Sequence, residues 1–253
     1  MEWEAPAIVL HARPYGEADV IATVMTEEHG LHRGLVRGGL SRAQTATWQS
    51  GNLVAARWTA RLADQLGGLR GETVHATAAL AMGDPLALGI VTAACAVAEG
   101  ALPEREPHPA VFGGLLRLLV GLSSGEALLP DLVRWEMRLL ADLGYGIDLR
   151  ACAVSGATSG LAYVSPRTGR AVTAEAAGVW AGRLLRLPSF LVGGNAEGPG
   201  EWQDGLRLTG HFLVRDAFGQ HNRALPLARQ MLYDRVAALA AESDQQTGDH
   251  DAE

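Results

Sequence analysis

The sequence predicts an α+β protein: a small barrel of five short strands at the N-terminus, followed by a mostly α-helical domain. Two observations carry this expectation. Over the first 75 residues, apolar and β-branched side chains recur in short runs separated by glycine turns. After Ala76 the apolar spacing lengthens to three and four, and residues that start and stop helices appear. The 253 residues suit one large or two modest domains. With 48% hydrophobic against 19% charged residues, the composition is that of a chain with a substantial core.

Each strand has its own signal. Ala7 to Arg13 opens with an apolar run, and Asp19 to Thr26 holds Val20, Ile21, Thr23 and Val24. Glu27-Glu28-His29-Gly30 turns the chain into Leu31 to Arg37, which Gly38-Gly39 ends. Leu53 to Leu62 alternates most clearly. Val54, Ala56, Trp58, Ala60 and Leu62 share one face, while Arg57, Thr59 and Arg61 lie on the other with Leu53 and Ala55. Gly71 to His75 is the fifth strand. Five short strands suit a closed barrel of the OB or SH3-like type, and strand count does not choose between them.

The helical part starts at Asp84-Pro85, an N-cap followed by proline at the first helical position, and this helix runs to about Glu99. Pro109 opens a second helix that reaches about Leu122 before Ser123-Ser124-Gly125. Pro130 to Leu143 has Leu132, Trp135, Leu139 and Leu143 at helical spacing, and Gly144 stops it. Leu149 to Gly178 reads as irregular. Further helices are expected over Glu175–Leu187, Trp202–Phe218 and Leu225–Glu242, with an exposed loop at Val192–Gly200. The expected division is therefore a barrel domain over 1–80, a helical domain over 81–242 and a disordered acidic tail over 243–253.

Charge is unevenly placed. Five acids lie in the last twelve residues, and without them the net charge of −7 falls to −2. His29 to Ala63 holds Arg33, Arg37, Arg42, Arg57 and Arg61 with no acid, a window of +5. Leu149 to Arg186 holds five arginines against Glu175 alone. Every basic residue is arginine. A GC-rich genome accounts for that total but not for the clustering.

Several function classes are disfavoured. Without lysine there is neither a P-loop nor lysine-based covalent chemistry. Gly156-Ala157-Thr158-Ser159-Gly160 lacks the nucleophile of a hydrolase elbow and reads as a turn. His29 and His32, three apart on a turn, read as surface histidines, and His211 and His221 have no carboxylates clustered with them. No set supplies nucleophile, base and orienting group together, so binding rather than catalysis is expected. No apolar run reaches the roughly 18 residues that span a bilayer. Glu2 and Glu4 give the N-terminus the wrong sign for a signal peptide, so a cytoplasmic location is expected. Cys95, within an apolar run, reads as a core residue.

Three stretches together resemble the RecO family of bacterial recombination mediators. The first is Ala7-Ile8-Val9-Leu10 with Tyr15-Gly16-Glu17-Ala18-Asp19, Thr26-Glu27-Glu28-His29-Gly30-Leu31 and Leu35-Val36-Arg37-Gly38-Gly39. The second runs from Trp135-Glu136-Met137-Arg138-Leu139-Leu140 through Leu143-Gly144-Tyr145-Gly146-Ile147-Asp148-Leu149. The third is Cys152-Ala153-Val154-Ser155-Gly156 with Leu161-Ala162-Tyr163-Val164-Ser165-Pro166-Arg167-Thr168-Gly169-Arg170. The resemblance implies an N-terminal OB-fold and a helical domain that carries, in many relatives, a zinc knuckle built from two Cys-x-x-Cys pairs. Here Cys152 stands at the first ligand position, Ser155 at the second, and Thr173 and Ala176 at the other pair. One thiolate cannot hold structural zinc, so 149–178 reads as a degenerate, metal-free knuckle packed by Leu161, Tyr163 and Val164, and no metal or cofactor is expected.

The resemblance also implies function. Similar proteins bind single- and double-stranded DNA, anneal complementary strands, and work with RecR to load RecA onto DNA coated by single-strand-binding protein. Such a role would place the chain at the nucleoid. The residues suit it: Arg33, Arg37, Arg42, Arg57 and Arg61 would contact phosphates, and Trp48 would stack on a base or else anchor its loop on the barrel. Trp58 reads as core and Tyr15 is open between the two. The acidic, apolar-ended tail of single-strand-binding protein needs cations beside an apolar pocket. Arg134 and Arg138, four apart with Trp135 beside them, offer this on one helix, and Arg117 on the preceding helix is a further candidate. The same basic face would suit an RNA- or ribosome-associated OB-fold protein, which competition between matched RNA and DNA strands separates.

Overall fold

The structure, a computed structural model, describes residues 1–62, 65–122, 128–195 and 198–250, with the side chains of 246–250 left aside. The expected helix stop at Ser123-Ser124-Gly125 and part of the Val192–Gly200 loop lie outside the described residues. The chain forms two compact units, Met1–Leu128 and Leu129–Glu253. Among the described residues, no helix is long and apolar enough to cross a membrane.

In the first unit, β1 (Glu2–Tyr15), β2 (Asp19–Thr26), β3 (Gly30–Val36), β4 (Leu53–Thr59) and β5 (Gly68–His75) close into a barrel in the order β1-β2-β3-β5-β4. A short helix, α1 (Arg42–Thr47), links β3 to β4. Inward-facing Val9, Val24, Val54, Ala56, Trp58 and Leu69 fill the interior. The alternation read in the fourth strand is present, with Val54, Ala56 and Trp58 buried and Ala55, Arg57 and Thr59 exposed. The strand ends at Thr59, however, and Leu62 is 65% exposed. β1 begins at Glu2, earlier than expected, because its first residues pair with β4 from Glu2↔Thr59 to Ile8↔Leu53.

Ala7 to Leu10 are buried on both faces of β1, since α3 (Pro85–Ala101) packs on its outside. That explains the continuous apolar run where a half-exposed strand would alternate. Asp84 caps α3 by accepting from the Leu86 N–H at 2.8 Å, as its sequence predicts. The Cys95 thiol lies 3.8 Å from the Val9 carbonyl, and burial pushes it up to about 12. α2 (Thr77–Ala81) and α4 (Pro109–Gly121) complete this unit. The change from strand to helix falls between His75 and Thr77, a few residues before the expected boundary, and compactness divides the chain later because α3 packs on β1.

The second unit holds α5 (Leu128–Asp142, from Leu129 on), α7 (Gly198–Phe212) and α8 (Leu227–His250). A sheet of order β7-β6-β8 is built from β6 (Leu161–Val164), β7 (Ala171–Thr173) and β8 (Leu185–Arg186). Two expectations are corrected. No single helix spans Glu175–Leu187: α6 (Ala174–Ala177) ends at Gly178, whose φ is +47°, a 3-10 helix follows over Gly178–Arg183, and β8 then pairs with Tyr163 and Val164 of β6. The tail expected to be disordered from 243 continues α8 as far as His250, because Ala237 to Gln246 contains neither Gly nor Pro and four alanines favour helix. Residues 251–253 lie outside the described residues.

Candidate nucleic-acid interface

The register of the barrel decides which expected cations meet. Arg57 projects outward from β4, opposite Glu4 of β1 on one side and Arg70 of β5 on the other. Arg70 is exposed and lies beyond the basic window, so the sequence reading missed it. Arg33 is on β3, and its carbonyl accepts the Trp58 indole N–H at 3.0 Å. Arg61 is exposed just past β4 and lines an open pocket of about 540 Å³ with Met1, Glu2 and Gln65. These four arginines surround the Trp58 end of the barrel. Arg37 and Arg42 belong elsewhere. They flank a turn held to the β1–β2 turn by the Gly38 N–H to Asp19 (2.8 Å) and the Leu40 N–H to Ala18 (2.9 Å). Tyr15, 53% exposed, ends β1 at that turn.

Trp48 is not an exposed stacking ring. It is 3% exposed, its Nε1 donates to Gln44 at 2.8 Å, and it belongs to the barrel core. Of the two roles expected for it, the loop anchor is the one present, because α1 folds the loop back over the barrel and supplies the indole with a partner, and the stacking role is withdrawn.

A pile of rings occupies the Trp58 end instead. Trp58 is 2% exposed and fixed by hydrogen bonds to the Arg33 and Leu66 carbonyls. Trp3 stacks on it at 6.2 Å and 12°, and His29 stacks on Trp3 at 5.0 Å and 18°. His32 meets both tryptophans edge-on, and the Arg105 guanidinium lies 5.9 Å from the Trp58 ring. His32 is therefore not the surface residue expected. Burial lowers its pKa, and Arg105 and His29 lower it further, so it stays neutral at pH 7. Trp3 and His29 are half-buried. Twenty-six residues separate them in sequence, and nothing local joins them.

Two of the cations already have counterions. Arg33 pairs with Glu104 at 2.9 Å, both side chains nearly half exposed, and Arg57 pairs with Glu2. Exposed pairs of this kind contribute at most about 1 kcal/mol, which a phosphate replaces readily. Glu2→Gln with Glu104→Gln is therefore expected to tighten binding to a single-stranded oligonucleotide, by up to about fivefold for each pair released. Titration at one fixed salt concentration measures this, and weaker binding would show that the pairs position the arginines.

In the second unit, Arg134 and Arg138 are exposed on α5, but Trp135 is 3% exposed and cannot form a docking face. Its position among Leu132, Leu139 and Leu143 puts it on the helix's apolar side, and the core takes it. Arg134 is engaged by Asp131 at 2.9 Å, the Phe190 carbonyl at 3.2 Å and the Phe190 ring. Arg117 is exposed on α4 of the first unit. A groove of about 760 Å³ between α7 and α8, missed in the sequence, is lined by Leu206, Val214, Leu225 and Tyr233 together with Arg207 and Arg215. Trp180, 58% exposed, has Arg183 over its ring at 5.1 Å.

The segment around Cys152 keeps backbone donors aimed at sulfur. The Ser155 and Thr173 N–H groups each donate to Sγ at 3.4 Å. The hydrogen bonds from Ser155, and then those from Thr173 and Val154, hold this thiol down at about 6. Cys152 packs with Val172, Ala177, Leu161 and Tyr163. Among the described residues, no three His, Cys, Asp or Glu side chains gather as metal ligands.

Comparison with known proteins agrees with this layout. Residues 1–77 match the family model described as recombination protein O N terminal, and residues 82–224 match recombination protein O C terminal. The chain is 60% identical over 242 residues to the DNA repair protein RecO of Granulibacter bethesdensis, covering 94% of this chain and 97% of the relative. It is 56% identical to that of Gluconacetobacter diazotrophicus, covering 94% and 96%, and 55% identical to that of Acidiphilium cryptum, covering 93% and 96%. With both halves matched in order and relatives this similar over nearly their whole length, the chain belongs to the RecO family.

Proposed function

We propose that the protein is a recombinational DNA repair mediator that acts by binding and not by catalysis. It binds single- and double-stranded DNA through the barrel, anneals complementary strands and, with RecR, helps load RecA onto DNA coated by single-strand-binding protein. The observation that carries this reading is the gathering of Arg33, Arg57, Arg61 and Arg70 at one end of the barrel, on a chain of the RecO family. The closed order β1-β2-β3-β5-β4 supports assigning the barrel to the OB type. Annealing involves no bond chemistry. It needs two anionic strands neutralised while their bases stay free to pair, and arginine contacts to phosphate do this without reading sequence. In the second unit, 149–178 is a metal-free remnant of a knuckle, held by packing around Cys152. The protein would act in the cytoplasm, at the nucleoid.

The test is the salt dependence of binding to single-stranded DNA. Each phosphate contact contributes about −0.7 to the slope of log K against log salt. Changing Arg57 and Arg61 together to Ala is expected to flatten the slope by roughly one to two units, equally for unrelated sequences. An unchanged slope would remove this end of the barrel from the DNA surface, and a matched RNA strand that outcompetes DNA would replace the substrate.

The partner in the helical part is the acidic, apolar-ended tail of single-strand-binding protein. Arg134 and Arg138 supply exposed cations for it on one face of α5. Fluorescence anisotropy with a labelled tail peptide is expected to show weaker binding when both are changed to Ala. Equal affinity for both proteins would move the site to the α7–α8 groove with Arg207 and Arg215, and a wild type that ignores the peptide would remove the partner.

A further inference from the structure

The rings at the Trp58 end form a graded pile. Trp58 is in the core and held by two hydrogen bonds, Trp3 covers it, and His29 covers Trp3, with tilts of 12° and 18° between successive planes. Burial falls along the pile, from 2% exposure at Trp58 to the half-buried His29. His32 buttresses both indoles edge-on. The His29 backbone is fixed as well, its N–H donating to the Thr26 hydroxyl at 3.0 Å. Among the described residues, the ring contacts of His29 are with Trp3 on its face and His32 at its edge.

We propose that the outer face of His29, backed by Trp3, is a stacking surface for an unpaired nucleobase, so that the barrel grips a single strand by base as well as by phosphate. This rests on the reading that the barrel binds single-stranded DNA. Three features support it. The rings are held on strands and a tight turn, so little ordering is lost when a flat group adds to the pile. A π-face accepts any base, as a sequence-independent binder requires. A cation also lies beside the pile, the Arg105 guanidinium 5.9 Å from the Trp58 ring, where it would meet a neighbouring phosphate. The site would thus favour single strands over duplex, whose bases are already stacked.

The test compares a dT oligonucleotide with an abasic strand of the same length and charge, using wild type, His29→Ala and His29→Phe. Stacking on one base is lost with His29→Ala, so affinity for dT is expected to fall between about fivefold and about a hundredfold. Affinity for the abasic strand and the salt slope stay as in wild type, and His29→Phe keeps the dT affinity. Equal losses on both strands would make His29 a structural residue and overturn the stacking site. No loss on dT, or a wild type indifferent to removal of the bases, would also overturn it while leaving phosphate binding by the barrel intact. A wild type that binds neither strand would instead overturn the proposed function.

Discussion

Replacing Arg229 with methionine is expected to destabilise the second unit by about 3–5 kcal/mol. Arg229 is 1% exposed and Glu136 is fully buried, and they form a two-bond pair: Nε to Oε1 at 2.5 Å and Nη2 to Oε2 at 3.0 Å. Nη2 also donates to the Leu206 carbonyl at 2.8 Å, and the Thr209 hydroxyl donates to Oε2 at 2.5 Å. The network ties α5, α7 and α8 together around one carboxylate. Methionine fills much of the arginine's volume but leaves Glu136 without its cation, and an unpaired buried carboxylate is far costlier than a satisfied pair. Glu136→Gln should cost a similar amount by stranding the guanidinium. Arg229→Met combined with Glu136→Leu should recover much of the loss, since an apolar pair leaves no charge unpaired. Because the chain has two compact units, hydrogen exchange of the α7 and α8 amides is the better measurement. Single variants that lower protection by less than about 1 kcal/mol would show that water reaches the pair.

That network illustrates what pattern reading loses. Glu136 sits beside Trp135 in a helix whose Leu132, Trp135 and Leu139 announce an apolar face, and a charge beside such a face reads as solvated. Its partner lies 93 residues away, and no local rule connects them. Features that depend on neighbours in sequence were legible. The Asp84 cap, the alternation of Val54, Ala56 and Trp58, and the glycine turn after β3 all follow from a few adjacent residues. Features that depend on register were not. The Trp3–His29 contact follows from the register of β1 on β2 that sets Ala7 opposite Thr26, and Arg70 meets Arg57 only through the β4–β5 pairing. β8 reads as helix in the sequence for the same reason, since a two-residue strand exists only through its partner β6. The buried faces of Trp48 and Trp135 show the converse: a large ring near arginines invites a binding role, but an apolar cavity within reach takes it.

Gly30→Ala is expected to destabilise the barrel by about 2–4 kcal/mol, in contrast to about 1 kcal/mol for Gly38→Ala. Both glycines have left-handed backbones, with φ of +66° and +65°, so both substitutions carry the same conformational cost. They differ in surroundings. A Cβ at Gly38 would meet nothing within 4 Å, whereas one at Gly30 would stand 2.0 Å from the Glu106 carbonyl oxygen and 2.5 Å from its carbon. That neighbour is backbone and cannot rotate away. Relief requires moving 104–106, which is tied to β3 by the Arg105 N–H to the Leu31 carbonyl at 2.8 Å. The same movement would draw Glu104 from Arg33 and Arg105 from the Trp58 ring, and would disturb the turn that carries His29. Gly30→Ala should therefore weaken single-stranded DNA binding at a temperature where the variant is still folded, and Gly38→Ala should not share that loss through this route. Urea unfolding of the two variants, followed by titration at one salt concentration, measures both effects. Equal destabilisation would mean that the 104–106 segment yields without cost, and that the close approach at Gly30 does not hold this end of the barrel together.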